Sequence, residues 1–158
     1  MISAVSVVLL IVLISCVVLL FAHKKLIASR MNLDEAKKDF ASLIKDRLDI
    51  YLDIATYSAG NFKNAIELCE NYLHEELSYI LRNWAKIEKA MKPLLENDSD
   101  DIYNDTEALK KNADEIRTAE TAYHNYAQVY NKKIARLPWK LVAIAVGLEA
   151  EKILLFTL

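Results

Sequence analysis

The stretch Ile2–Ala22, ISAVSVVLLIVLISCVVLLFA, carries no charged side chain and is closed at once by His23-Lys24-Lys25. As a helix rising about 1.5 Å per residue, it spans the ~30 Å hydrocarbon layer of a bilayer. All 20 Lys and Arg and all 22 Asp and Glu lie beyond it. The sequence thus predicts a membrane anchor, residues 1–23, joined to a highly charged body.

Two other readings of the run exist. A cleavable signal peptide needs a charged n-region and a short core, and here only Met1 precedes a core longer than that. A lipoprotein signal would use Leu13-Ile14-Ser15-Cys16, but Val17–Phe21 continue the apolar run past Cys16. An uncleaved single span fits length and flank better. Lys24, Lys25 and Arg30 crowd its carboxyl side, which places that side in the cytoplasm and Met1 outside.

Beyond the anchor the pattern is helical. With two Gly and two Pro in 158 residues there are few places to turn, and the middle is rich in the helix formers Ala, Leu, Glu and Lys. Leu33, Ala36, Phe40, Ile44, Leu48, Tyr51, Ile54 and Tyr57 recur at steps of three and four. So do Phe62, Ile66, Cys69, Leu73, Leu77, Ile80, Trp84, Ile87, Met91 and Leu94. A third stripe reads Leu109, Ala113, Ile116, Ala119, Tyr123, Ala127, Tyr130, Ile134 and Leu137. Gly60 and Asn61 suit the end of one helix and the start of the next. Asn97–Asp101 separates the second stripe from the third, and Pro138 ends the third. The expected fold is all-α. The anchor helix continues into an antiparallel bundle of three long helices (24–137), followed by a shorter apolar helix (138–158).

Helix lengths orient this bundle. A first helix reaching Ser58 extends about 54 Å beyond His23, and a second from Asn61 to Leu95 returns about 52 Å. The acidic turn 96–101 should then face the basic collar of Lys24, Lys25 and Arg30, and Pro138 should lie at the far end. The apolar tail has three possible fates: a fourth core element, a contact between subunits, or insertion at the membrane interface. Leu141, Val142, Ile144, Leu148, Ile153 and Phe156 are its candidate contact residues.

No catalytic constellation is evident. Cys16 and Cys69 make neither a zinc spacing nor a disulfide framework. His74-Glu75-Glu76 reads as a polar helix face. Asp98, Asp100 and Asp101 lack the glycine and distal glutamate of an EF-hand loop. Two glycines cannot build a phosphate loop, and a net charge of −2 gives no reason to expect nucleic acid. Glu120 falls beside the third stripe, with its head expected in water. No enzyme, metal or cofactor is expected.

Ala122-Tyr123-His124-Asn125-Tyr126-Ala127-Gln128-Val129-Tyr130-Asn131, then Leu137-Pro138, Leu141-Val142-Ala143 and Gly147-Leu148, resemble the C-terminal signature of the LemA family. Leu33-Asp34-Glu35-Ala36 resembles that family's start after its anchor. The order of parts agrees over nearly the whole chain. His124 stands where the family has its first Asn, Leu137 and Leu148 replace Phe, and the Phe-Glu ending is absent, so the resemblance is to a divergent member. It implies a helical bundle on a bacterial inner membrane, in a family some of whose members help build membrane compartments. Tyr123, Tyr130, Asn131 and Pro138 carry the motif. The residues themselves read as a packing and hydrogen-bond lock orienting the Pro138 turn, in preference to a ligand site.

The functional expectation is a non-enzymatic membrane-anchored scaffold that self-associates as a homo-oligomer, in contact with membrane lipid. The alternative is an adaptor tethering a cytoplasmic protein or a membrane protease.

Overall fold

The computed structural model describes residues 4–57, 62–95 and 103–156. Among them are five helices and no strand: α1 (Ala4–Tyr57), α2 (Lys63–Leu73), α3 (Leu77–Leu95), α4 (Tyr103–Ile134) and α5 (Trp139–Ala145). The expected turn at 58–61 and the acidic turn at 96–101 lie outside the described residues.

α1 is unbroken for 54 residues. It carries no glycine or proline to interrupt it. Its first part, through Phe21, is apolar and exposed on every side, and is long and apolar enough to cross a membrane. Ser15 fits such a stretch because its hydroxyl donates to the Ile11 carbonyl (2.8 Å) in the preceding turn. Further on the helix buries one stripe: Ala22, Leu26, Ser29, Leu33, Ala36, Phe40, Ile44, Leu48, Tyr51 and Ile54. Every residue expected on that stripe is buried except Tyr57, which ends the helix 84% exposed.

The chain divides into two compact units, and α1 and α4 each pass from one into the other. The first unit comprises Met1–Ala36 and Tyr123–Ile153. Its interior is formed by Leu26 and Leu33 of α1 with Tyr123, Ala127 and Tyr130 of α4. The second comprises Lys37–Ala122 and Leu154–Leu158. There Phe156 meets Phe40 (ring centroids 6.0 Å) and Trp84 (5.0 Å) edge-on, and Trp84 stacks on Tyr51 (6.2 Å). Edge and offset contacts of this kind suit the aromatic quadrupole.

Two expectations are corrected. The helix expected from Asn61 to Leu95 is interrupted at 74–76, between α2 and α3. The buried positions explain the break: Ala65, Cys69 and Tyr72 keep steps of three and four, as do Leu77, Ile80, Trp84, Ile87 and Met91. From Tyr72 to Leu77 the step is five, which a continuous helix cannot keep on one face. Leu73, in phase by sequence, is only half-buried. This stripe supplies two helices and not one, and residue numbers run in opposite senses along α1 and α4: Leu43 meets Asn112 and Arg47 meets Leu109. α5, which follows Pro138, lines a recess with Cys16, Leu19 and Leu20. The expected placement of Pro138, at the far end from the apolar part of α1, is therefore corrected as well.

The helix expected over 138–158 is also too long. α5 stops at Ala145, and Gly147 follows at φ 68°. The Leu148 N–H donates to the Ala143 carbonyl (2.9 Å) and the Gly147 N–H to Ile144 (3.4 Å), the paired bonds of a Schellman ending. Residues 148–156 then have no regular secondary structure. Apolar composition without period cannot distinguish this from a helix.

Candidate functional site

In the first unit, α4 holds the irregular segment after Gly147 by its main chain. The Asn131 side-chain amide donates to the Glu151 carbonyl (2.9 Å) and accepts from the Glu151 N–H (2.9 Å). One N–H of the amide and its oxygen lie in one plane, side by side, and pair with the segment as a neighbouring strand residue would. The Tyr130 hydroxyl donates to the Glu149 carbonyl (3.1 Å) and the Tyr123 hydroxyl to the Lys152 carbonyl (3.0 Å). Tyr123 and Tyr130, seven residues apart, share one helix face, so both hydroxyls reach the same segment.

One side chain of the segment is also held. The Glu151 carboxylate accepts from Arg30 (3.2 Å), which lies over the Tyr130 ring (5.5 Å) and pairs with Asp34 (3.0 Å). Burial pulls the Arg30 guanidinium down, but the charges of Asp34 and Glu151 outweigh it and the pKa is raised. Arg30 is thus engaged within the protein, whereas Lys24 is exposed and Lys25 lies over the Phe21 ring (4.6 Å).

Of the residues expected to lock the Pro138 turn, Tyr123, Tyr130 and Asn131 instead form one hydrogen-bonded grip on another segment. Its object is Glu149–Lys152, while Pro138 stands elsewhere as the N-cap of α5. Of the candidate contact residues, Val142 is buried and Leu148 and Phe156 are half-buried. Leu141, Ile144 and Ile153 are exposed, at 55%, 70% and 39%.

An apolar recess of about 510 Å³ also belongs to the first unit. Cys16, Leu19 and Leu20 of α1 line one side and Leu141, Val142 and Ala145 of α5 the other, with His23 at its edge.

The second unit has a polar node that the sequence reading missed. Arg47 donates to the Leu109 carbonyl (3.1 Å), to the Asn112 side-chain oxygen (3.4 Å) and to the Tyr51 hydroxyl (3.2 Å). The Asn112 amide in turn donates to the Leu43 carbonyl (3.1 Å). The available signal was that Asn112, one residue before the expected Ala113, keeps the step of three from Leu109. Glu120 accepts the Phe156 N–H (3.1 Å), so its carboxylate has a structural use at the stripe's edge.

Chemistry is sparse. Among the described residues no three His, Cys, Asp or Glu could hold a metal ion together. Burial, and then the charge of Glu70, push the Cys69 thiol up to about 11, which leaves it protonated and a poor nucleophile at neutral pH. No family model, curated protein or solved structure matches the chain.

Proposed function

We propose that this chain is a non-enzymatic, membrane-anchored helical scaffold that self-associates and organises the cytoplasmic face of a bacterial inner membrane. One observation carries the reading: α1 is apolar and exposed all round through Phe21, then continues without interruption into a helix that buries a single stripe. A water-facing helix does not expose residues such as Leu9, Leu13, Val17 and Phe21 together. Lys24 and Lys25 put the body on the cytoplasmic side and the N-terminus outside.

The body is read as an antiparallel bundle of α1, α2, α3 and α4. Leu43 meets Asn112 while Arg47 meets Leu109, so residue numbers run in opposite senses along α1 and α4. Three helices in simple alternation would make these two parallel, so α2 and α3 count as separate members of the bundle. The order of parts and the Tyr123, Tyr130 and Asn131 lock support divergent membership of the LemA family. Sizing the detergent-extracted protein by light scattering tests the scaffold. A defined homo-oligomer is expected, and a monomer at micromolar concentration overturns self-association.

The lock favours a second reading, the adaptor. Because Asn131, Tyr123 and Tyr130 bond to main-chain atoms, an extended segment of another protein presents the same groups. A monomer that retains a stoichiometric partner after gentle extraction would decide for the adaptor.

A further inference from the structure

We infer that α5 is a second membrane contact: it lies in the interfacial layer of the bilayer that α1 crosses, with lipid acyl chains filling the recess between them. The inference rests on reading α1 as a membrane anchor and adds to it where the rest of the first unit meets the lipid.

The argument is one of depth. Cys16, Leu19 and Leu20 belong to the charge-free run, and Leu141, Val142 and Ala145 face them across the recess. Cys16 lies six residues before Ala22, the last residue of that run. At 1.5 Å per residue this is about 9 Å below the run's end. Whatever bilayer depth the carboxyl end of the run occupies, α5 shares it. That depth matches the ~5–10 Å to which interfacial helices sink their apolar face.

Exposure agrees with this placement. Leu137, Leu141, Ile144 and Val146 are exposed at 67%, 55%, 70% and 44%, a density of apolar surface that water disfavours and acyl chains accept. The exposed charges near them are mainly basic: Lys132, Arg136 and Lys140, with Lys24 and Lys25 on α1, against the exposed carboxylate of Glu149. Such a basic set suits the anionic headgroups of a cytoplasmic leaflet. A bilayer acyl chain is the favoured occupant of the recess because its α1 wall is continuous with the lipid-facing surface. The protein's two tryptophans fall on opposite sides of the question, Trp139 opening α5 and Trp84 buried in the second unit.

The full chain should be reconstituted into phosphatidylcholine–phosphatidylglycerol vesicles with or without bromine in the upper acyl chains, which quenches nearby indoles. Trp84→Phe, which reports Trp139 alone, is expected to lose fluorescence by about twofold, as suits an indole at interfacial depth, and wild type by a smaller fraction because Trp84 still emits. Trp139→Phe, which reports Trp84 alone, is expected to change little. The comparison of wild type with Trp139→Phe stands even if Trp84→Phe fails to fold. Protein that floats with the vesicles yet shows no quenching of Trp139 overturns the inference and leaves the anchor intact, as when a second copy covers α5. Protein that does not float overturns both.

Discussion

The two parts of α1 share one backbone and differ only in how apolar residues are distributed around it. From Val5 to Phe21 they occupy every face and every face is exposed; from Ala22 to Ile54 one stripe is buried, while off-stripe apolar residues such as Met31 are few and set among charged ones. The difference shows what decides a helix's surroundings. Intrinsic propensity does not, since Val and Ile crowd the first part and a helix forms all the same. In hydrocarbon a helix is imposed because each backbone group must be satisfied internally. In water the second part is held by what packs on its stripe.

The sharpest way to break the contrast is to empty the stripe. Phe40 is fully buried and touches Phe156, so Phe40→Ala should cost about 3–5 kcal/mol, read by urea unfolding in detergent. A loss below about 1 kcal/mol would mean that the stripe does not hold the second unit. The matching blow to the first part is Leu13→Arg, midway along the charge-free run. It should disfavour insertion by about 2.5–3.5 kcal/mol and move protein from the carbonate-resistant membrane fraction to the supernatant. If Leu13→Arg instead lowered the urea midpoint of the body, the two parts would not differ in the way described.

A smaller effect sharpens the packed side. Asn131→Ala leaves the Glu151 N–H and carbonyl without their partner, at about 1–3 kcal/mol. The visible sign is faster hydrogen exchange at the Glu151 amide, with the global unfolding midpoint moving less than for Phe40→Ala. The smallest effect is a pH slope. Cys69 has its pKa raised from 9.0 to about 11 by burial, so the folded state keeps a proton that the unfolded state releases first. Its contribution is fully present below about pH 9 and is lost as pH rises toward 11. Tyr51 and Tyr72, also raised by burial, add slope at the upper end of that window. Cys69→Ala should therefore flatten the decline in part, and an unchanged profile would remove the thiol from it.

The all-helical class and most of the α1 stripe were legible because burial follows a period that composition displays. The break at 74–76 was not, since Leu73 supplies an apolar residue in phase beside Tyr72, the residue the fold buries. The tail was misread for a related reason. Ile153–Phe156 is as apolar as a helix core, and only Gly147 announced that the helix ends. The lock was legible as a pair, Tyr123 and Tyr130 on one face, but what it grips was not. Its target is backbone, and backbone leaves no trace in a side-chain pattern. The Arg47–Asn112 node escaped because polar residues inside a stripe look like interruptions.

The main-chain grip of Asn131 has a consequence for how the sequence can change. An amide that pairs with a peptide unit is blind to the side chain that unit bears. Ala150, next to the gripped unit, has no bond of its own there, so drift at that position leaves the grip untouched. Glu151 is more restricted because its carboxylate also serves Arg30. One replacement is barred there on backbone grounds alone: proline at 151 would remove the N–H that Asn131 receives. Variation should therefore run through the tail and stop at the asparagine that reads it.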